Sequence, residues 1–378
     1  MSDRSQQWTD ALVAAGVFLA CFGLVHTWFW AHGELVDWPT YERYGSAIVD
    51  RHLVPYRDFK VDYPPGALPV FVVPSYFGDY AIAFQWVMAA CGVALVGVLA
   101  FVRREAAYYA ALAPLLVGSL ILSRFDLWPA LLLVAALGAL IAGRDSIGWA
   151  FLGAAVAAKL WPLVVVPPAL LWSVRRGHGR SAVAGLAVAA IVFVPFAVVA
   201  PHGVWDTLSS QGSRPLQIES LGAAFLTTFG HPHVVTTHGS QNLAGHGAFG
   251  AALSVVGTVA VIATWIAFAR GPATRDRFVR YAVAAVCAFV AFDKVLSPQY
   301  LLWLIPLVPL VRGRRGVVAS ALLTAACVLT QVWFPQRYFA YANDFHLAWV
   351  VLLRDLVLVA LFAALVTPRR ERAQPHTT

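Results

Sequence analysis

Residues Tyr80–Arg104 read YAIAFQWVMAACGVALVGVLAFVRR. An uncharged run here ends on two arginines. It is long enough for one bilayer crossing, which takes about 20 residues. It shows no strict apolar–polar alternation, so it does not read as a barrel strand. In lipid, only helices and closed barrels satisfy every backbone group, so the run reads as a membrane helix followed by a basic anchor.

The same reading extends along the chain. Spans are expected at 11–30, 80–102, 106–122, 127–143, 147–158, 161–174, 181–200, 248–269, 278–292, 296–311, 316–334 and 348–366. Of the 378 residues, 60% are hydrophobic and 12% charged, whereas a soluble domain carries roughly 25% charged residues. The N-terminus lacks a secretory cleavage pattern, so the first run is expected to stay as a span. Cys21, Cys91, Cys287 and Cys327 lie inside apolar runs and read as small buried hydrophobes.

The net charge of +8 does not point to nucleic acid, because the basic residues are spread over every second connection. They fall at Arg103/Arg104, Arg144, Arg175/Arg176/Arg180, Arg270/Arg275/Arg277/Arg280, Arg312/Arg314/Arg315 and Arg369/Arg370/Arg372. This is the positive-inside pattern of a multi-spanning protein. With twelve spans both termini face the cytoplasm. The inner side then holds 17 basic and six acidic residues, and the outer side nine basic and twelve acidic. Arg354 and Asp355 fall inside the last span.

Residues 146–174 strain this count, since they are too few for two full crossings. Two short helices broken near Lys159 and Pro162 keep the charge pattern; a single crossing would spoil it. The inner connections are short. The outer segments 31–79 and 201–247 are long, the second rich in Gly, His, Ser and Thr and expected to be partly mobile.

The outer end collects polar residues: Glu34, Asp37, Tyr41, Asp50, Arg51, Tyr56, Arg57, Asp58, Lys60, Asp62 and Tyr63, then Arg124, Asp126, Lys159, Arg214, Glu219, Asp293 and Lys294. Charges at membrane depth are costly and usually functional. All three lysines, Lys60, Lys159 and Lys294, fall on this side. A lysine is a compact point charge suited to phosphate, although Lys159 and Lys294 could equally snorkel to the interface. Asp37, Tyr41 and Tyr44 share one face of a helix starting near Pro39. Asp37 is either a general base or a charge at the amino end of that helix. In V54-P-Y-R-D-F-K-V-D-Y-P-P-G66, three prolines exclude a regular helix. The string reads as a rigid re-entry into the membrane or as a purely structural turn.

Asp37-x-x-x-Tyr41 and the 54–66 string resemble the first outer loop of glycosyltransferase family 87, of the GT-C superfamily. R124-F-D126, K159-L-W-P162, Q217-I-E-S-L221 and K294-V-L-S-P-Q-Y-L-L-W303 are similar to later pieces of that family, in family order. The resemblance implies an all-α integral membrane protein forming a single domain over 1–378, with about twelve transmembrane helices and a GT-C-like large first extracytoplasmic loop. It implies an α-1,2-mannosyltransferase-like enzyme that uses a polyprenyl-phosphate sugar donor and a glycolipid or polysaccharide acceptor. The enzyme would sit in a bacterial plasma membrane with its active site outside. Asp37 matches the catalytic aspartate. Tyr41, Arg57, Asp58, Tyr63, Arg124, Asp126, Lys159, Arg214, Glu219, Lys294, Gln299 and Tyr300 are the expected substrate-binding residues. No cofactor is expected, and no aspartate pair has an obvious metal geometry. Other classes considered are a transporter or lipid flippase, which would place its charges nearer the midplane, and a non-catalytic assembly subunit.

Overall fold

The computed structural model describes residues 3–32 and 36–367. Glu34 and the basic cluster Arg369/Arg370/Arg372 lie outside the described residues. Each apolar run is helical, but the runs are not alike. Among the described residues six helices are long and apolar enough to cross a membrane: Arg4–Phe29, Tyr80–Val102, Gly179–Val199, Gly247–Ala269, Gly313–Trp333 and Ala348–Val366. Leu127–Ile141, Asp145–Ala158, Trp161–Arg175 and Pro298–Leu310 are shorter apolar helices. Arg275–Phe292 opens with a charged turn. The expected span 106–122 is instead three pieces, Arg104–Ala111, Ala113–Val117 and Leu120–Ser123. Pro114 withholds an N–H and Gly118 takes φ +59°, and together they stop one continuous helix from forming.

The segment 146–174 forms two short helices. Asp145–Ala158 has 14 residues, about 21 Å at ~1.5 Å per residue, less than the ~30 Å hydrocarbon core. Lys159 and Leu160 break the chain, and Trp161–Arg175 returns. Arg176 bonds the Leu140 carbonyl (3.3 Å) and the Asp145 carboxylate (3.1 Å), so the chain comes back to the end it left. The single-crossing alternative is not what the chain adopts.

The basic connections gather at that same end and perform a structural task there. Arg103 donates to the Leu310 carbonyl (3.3 Å) and Arg175 to those of Ala269 and Gly271 (2.5 and 2.6 Å). Arg315 donates to the Thr367 carbonyl (2.6 Å). These carbonyls lie at or just past helix C-termini, where cations meet the negative end of the helix dipole.

The other end is built from the two long segments. The Trp38–Val49 helix buries Tyr41, Tyr44, Gly45 and Ala47. After it, residues 50–64 run without helix, and short turns descend from Pro65 to Tyr76. The Gly66 carbonyl accepts from Trp128 Nε1 (3.0 Å). Gly66 abuts the backbone of Ala157, so that any Cβ would lie 2.5 Å from it. The proline-rich string is thereby pressed against the end of the helix that leads to Lys159. The segment 201–247, expected to be partly mobile, is organised into helices Pro201–Ser213 and Leu221–Phe229 and a hairpin pairing Val234–Thr237 with Ser240–Leu243.

Candidate functional site

Between these two long segments and the helix ends lies a cavity of about 640 Å³. Its polar walls come from places where apolar helices are interrupted. The sequence Arg124-Phe125-Asp126 joins Leu120–Ser123 to Leu127–Ile141 and sends its three side chains three ways. Arg124 is 8% exposed and forms an ion pair with Asp37, both on the cavity wall. Phe125 packs edge-on to Tyr41, Tyr63 and Phe71 (5.7, 4.9 and 5.1 Å between ring centres). Asp126 is fully buried and accepts from Lys159 Nζ (2.6 Å) and Trp303 Nε1 (2.5 Å).

Lys159 lines the cavity, but its charge is already committed. Besides Asp126 it lies over the rings of Phe125 and Trp303, 4.6 and 5.2 Å from their centres. Lys294 does not line the cavity; its ammonium bonds the Gly212 carbonyl (2.8 Å) and ties down the end of the Pro201–Ser213 helix. Arg214, at that same helix end, is not committed to a counter-ion. It lines the cavity and donates to Ser240 Oγ (3.2 Å). Among the described residues no carboxylate lies within ion-pair distance of it.

Of the remaining expected residues, Tyr63, Glu219, Gln299 and Tyr300 line the cavity. Tyr300 stacks on Trp303 (3.9 Å between ring centres), and Trp303 stacks on Trp161 (4.7 Å). Tyr41 lies behind the wall, fully buried and stacked on Phe71 (4.5 Å). Arg57 and Asp58 lie away from the cavity, because these adjacent residues pair with each other (2.9 Å) and Asp58 closes its own turn on Val54 N (2.7 Å).

Two carboxyl groups in the cavity titrate high. Burial pushes Glu219 up to about 7, against the opposing pull of Arg354, Gln217 and Arg214. Burial raises Asp293 to about 6, opposed by the Val295 N–H and the charges of Lys294 and Arg214. Asp293, Gln217, Trp161, Trp303, Tyr338 and Arg43 also line the cavity but were not singled out as site residues. Gln217, Trp161 and Trp303 belong to the motif strings and could have been found there; Tyr338 and Arg43 carry no local signal. No group of three or more His, Cys, Asp or Glu able to hold a metal ion occurs among the described residues.

The sequence model of the family described as Glycosyltransferase family 87 matches residues 62–298 of the chain. Asp37, Arg57 and Asp58 precede the matched stretch, and Gln299 and Tyr300 follow it. Among solved structures the chain is similar to ArnT from Cupriavidus metallidurans, crystallised bound to undecaprenyl phosphate. The identity is 15% and the TM-score 0.49, over 92% of this chain and 76% of that one. No curated protein matches the chain.

Proposed function

The chain belongs to glycosyltransferase family 87, and on that footing we propose that it moves a hexose, mannose by its motif resemblance, from a polyprenyl-phosphate donor to a hydroxyl of an envelope glycolipid or polysaccharide. The reaction takes place at the outer face of a bacterial plasma membrane. One observation carries the reading: Asp37 and the buried Arg124 stand side by side on the wall of a polar cavity formed by the two outer segments. The gathering of basic connections at the other end supports the orientation.

In this reading Asp37 takes the proton of the acceptor hydroxyl as its oxygen attacks the anomeric carbon. The bond from that carbon to the phosphate oxygen breaks on the opposite face, and polyprenyl phosphate leaves with the electron pair. Configuration inverts and no covalent enzyme intermediate forms. Arg214, which lines the cavity without a carboxylate partner, is a cation able to stabilise charge growing on the phosphate, while Arg124 is committed to the base Asp37. Lys159 and Lys294 take no such role, since each is held by protein oxygen. Lys159 instead supports the wall through Asp126 and Trp303.

The test is Asp37→Asn in purified protein supplied with polyprenyl-phosphate mannose and an envelope lipid extract, with products read by mass spectrometry. Loss of a general base lowers turnover by about 10²- to 10⁴-fold; because Asp37 is also the counter-ion of buried Arg124, unfolding temperature is read alongside and turnover is compared in the folded fraction. Asp58→Asn, outside the cavity, keeps full rate. An active Asp37→Asn alongside a dead Asp58→Asn would overturn the assignment.

A further inference from the structure

The segment Leu216–Ser220 is buried at every residue. Its main chain is fastened from four directions. Gln217 N donates to the Lys294 carbonyl (3.0 Å), Ile218 N to that of Gln241 (3.1 Å), and Leu243 N to that of Leu216 (2.9 Å). Tyr341 Oη donates to the Ile218 carbonyl (2.6 Å), and Arg354 to the Glu219 carbonyl (2.8 Å). The backbone holds itself, so the side chains of Gln217 and Glu219 are free for another task. Both line the cavity, both are at most 3% exposed, and Gln217 Oε1 and Glu219 Oε2 have no hydrogen-bond donor. Gln217 and Tyr338 lie beside the Glu219 carboxylate.

A buried acceptor left unmade is costly. Two of them on one fixed segment, on residues that line one cavity, ask for a ligand that brings two donors. An ionised phosphate brings none and is repelled by a carboxylate. A further cation is poorly matched, because Arg214 and Arg354 already act on Glu219. Neighbouring hydroxyls of a sugar ring match in number and in polarity. Tyr300 and Tyr338 on the same cavity walls offer aromatic surface to the ring's C–H faces.

We propose that Gln217 and Glu219 form a sugar subsite that accepts hydrogen bonds from two adjacent hydroxyl groups of a hexopyranose. The inference rests on the transferase reading only for where that sugar comes from, the donor or the acceptor. Its test requires no turnover.

The full chain is reconstituted at pH 8.5, where Glu219 is ionised, in phosphatidylcholine nanodiscs, which avoids sugar-headed detergents. Binding is followed by tryptophan fluorescence, since Trp161 and Trp303 line the cavity. The probes are methyl α-D-mannopyranoside, methyl α-D-glucopyranoside, decaprenyl phosphate and decaprenyl-phosphate mannose. Glu219→Gln is expected to weaken glycoside binding by about 10- to 100-fold, the scale of a hydrogen bond to a charged group, and Gln217→Ala by about 2- to 10-fold, the scale of a neutral one, while decaprenyl phosphate binds as in wild type. If the subsite holds the donor's sugar, the variants also weaken decaprenyl-phosphate mannose. If it holds the acceptor's sugar, that probe binds normally. Either result supports the subsite. Wild-type protein that binds decaprenyl phosphate but neither glycoside would overturn it, as would variants that bind glycoside like wild type. Glycoside binding that depends on Glu219, with no binding of decaprenyl phosphate, would sink the donor reading and leave the subsite standing.

Discussion

Arg354 and Asp355 are both fully buried near the middle of the Ala348–Val366 helix. Arg354 Nε lies 2.7 Å from the Asp355 carboxylate. As successive residues of one helix they meet at a poor angle, so the contact is an ion pair without a hydrogen bond. The guanidinium also lies over Trp333, 5.6 Å from the ring centre, and donates to the Glu219 carbonyl (2.8 Å). Arg354→Met strands a buried carboxylate, at a cost of about 3–5 kcal/mol. The bond to Glu219, of order 1.5–3 kcal/mol for a charged donor, falls within that figure, because losses at one group do not add. The double variant Arg354→Met/Asp355→Leu removes both charges and is expected to recover most of the stability. It does not restore the donor to Glu219. Transfer should therefore recover less than stability does. Thermal unfolding is readable with a thiol-reactive dye, because Cys21, Cys91, Cys287 and Cys327 are all buried free thiols. A single variant as stable as wild type, or a double variant as unstable as the single, would refute the reasoning.

Three further outcomes follow. Lys159→Met should destabilise the protein by about 3–5 kcal/mol, since it strips the counter-ion from buried Asp126, and adding Asp126→Asn should restore much of the loss; a Lys159→Met protein with wild-type unfolding but lost donor binding would return Lys159 to the role of phosphate anchor. Gly153→Val should cost about 1–3 kcal/mol by overpacking, because any Cβ there falls on the Gly185 carbonyl of the neighbouring helix, and an unchanged unfolding temperature would contradict that close crossing. Glu219 and Asp293 have raised folded-state pKa values of about 7 and about 6, so the folded protein holds their protons more tightly. Their contribution is complete below the unfolded carboxyl pKa, about 4, and is lost as pH rises through about 6 and about 7. The unfolding temperature of ligand-free protein should thus fall across that window, Glu219→Gln should remove the upper part of the fall, and Asp293→Asn the lower; the same slope in all three proteins would refute this. Arg214, Arg354, Tyr338, Tyr341, Tyr300 and Arg124 surround Glu219 and are kept constant in that comparison.

The helices were legible because a long apolar run in lipid has one way to satisfy its backbone, and prolines mark where it stops. Pro162 announced the break after Lys159, and the charge asymmetry required the chain to turn back there. What was not legible is pairing. Lys159 and Lys294 look alike in sequence, each basic and beside an apolar run. The fold gives one to Asp126, 33 residues away, and the other to a carbonyl 82 residues away. No local pattern encodes either partner. Arg57 and Asp58 looked like site residues because their string is unusual, yet adjacent opposite charges can satisfy each other without leaving the loop. Arg354 and Asp355 cancel in a charge count, and that concealed the hold Arg354 has on the Glu219 segment.

The position of the site follows from these interruptions. A continuous helix satisfies its own backbone and leaves no main-chain polar atom free at membrane depth. Where the chain breaks at Arg124–Asp126, at Lys159–Leu160 and at Asp293–Ser297, the backbone turns away from helical geometry and charged side chains can be placed beside apolar neighbours. Each break keeps part of its helical bonding: Arg124 N still donates to the Leu120 carbonyl (3.1 Å), Lys159 N to that of Ala155 (3.0 Å) and Asp293 N to that of Phe289 (3.1 Å). The charges so exposed are then paired across breaks, Lys159 with Asp126 in the wall and Arg124 with Asp37 from the outer loop. Arg214 comes from a different element, the end of an outer helix, and stays unpaired. A ligand carrying a phosphate on an apolar tail therefore meets walls already neutral at Lys159 and Arg124, and two arginines, Arg214 and Arg43, that have no carboxylate partner among the described residues. Arg214→Gln should accordingly weaken decaprenyl phosphate more than Lys294→Gln does, the reverse of a ranking by lysine position, and equal effects of the two would place the phosphate elsewhere.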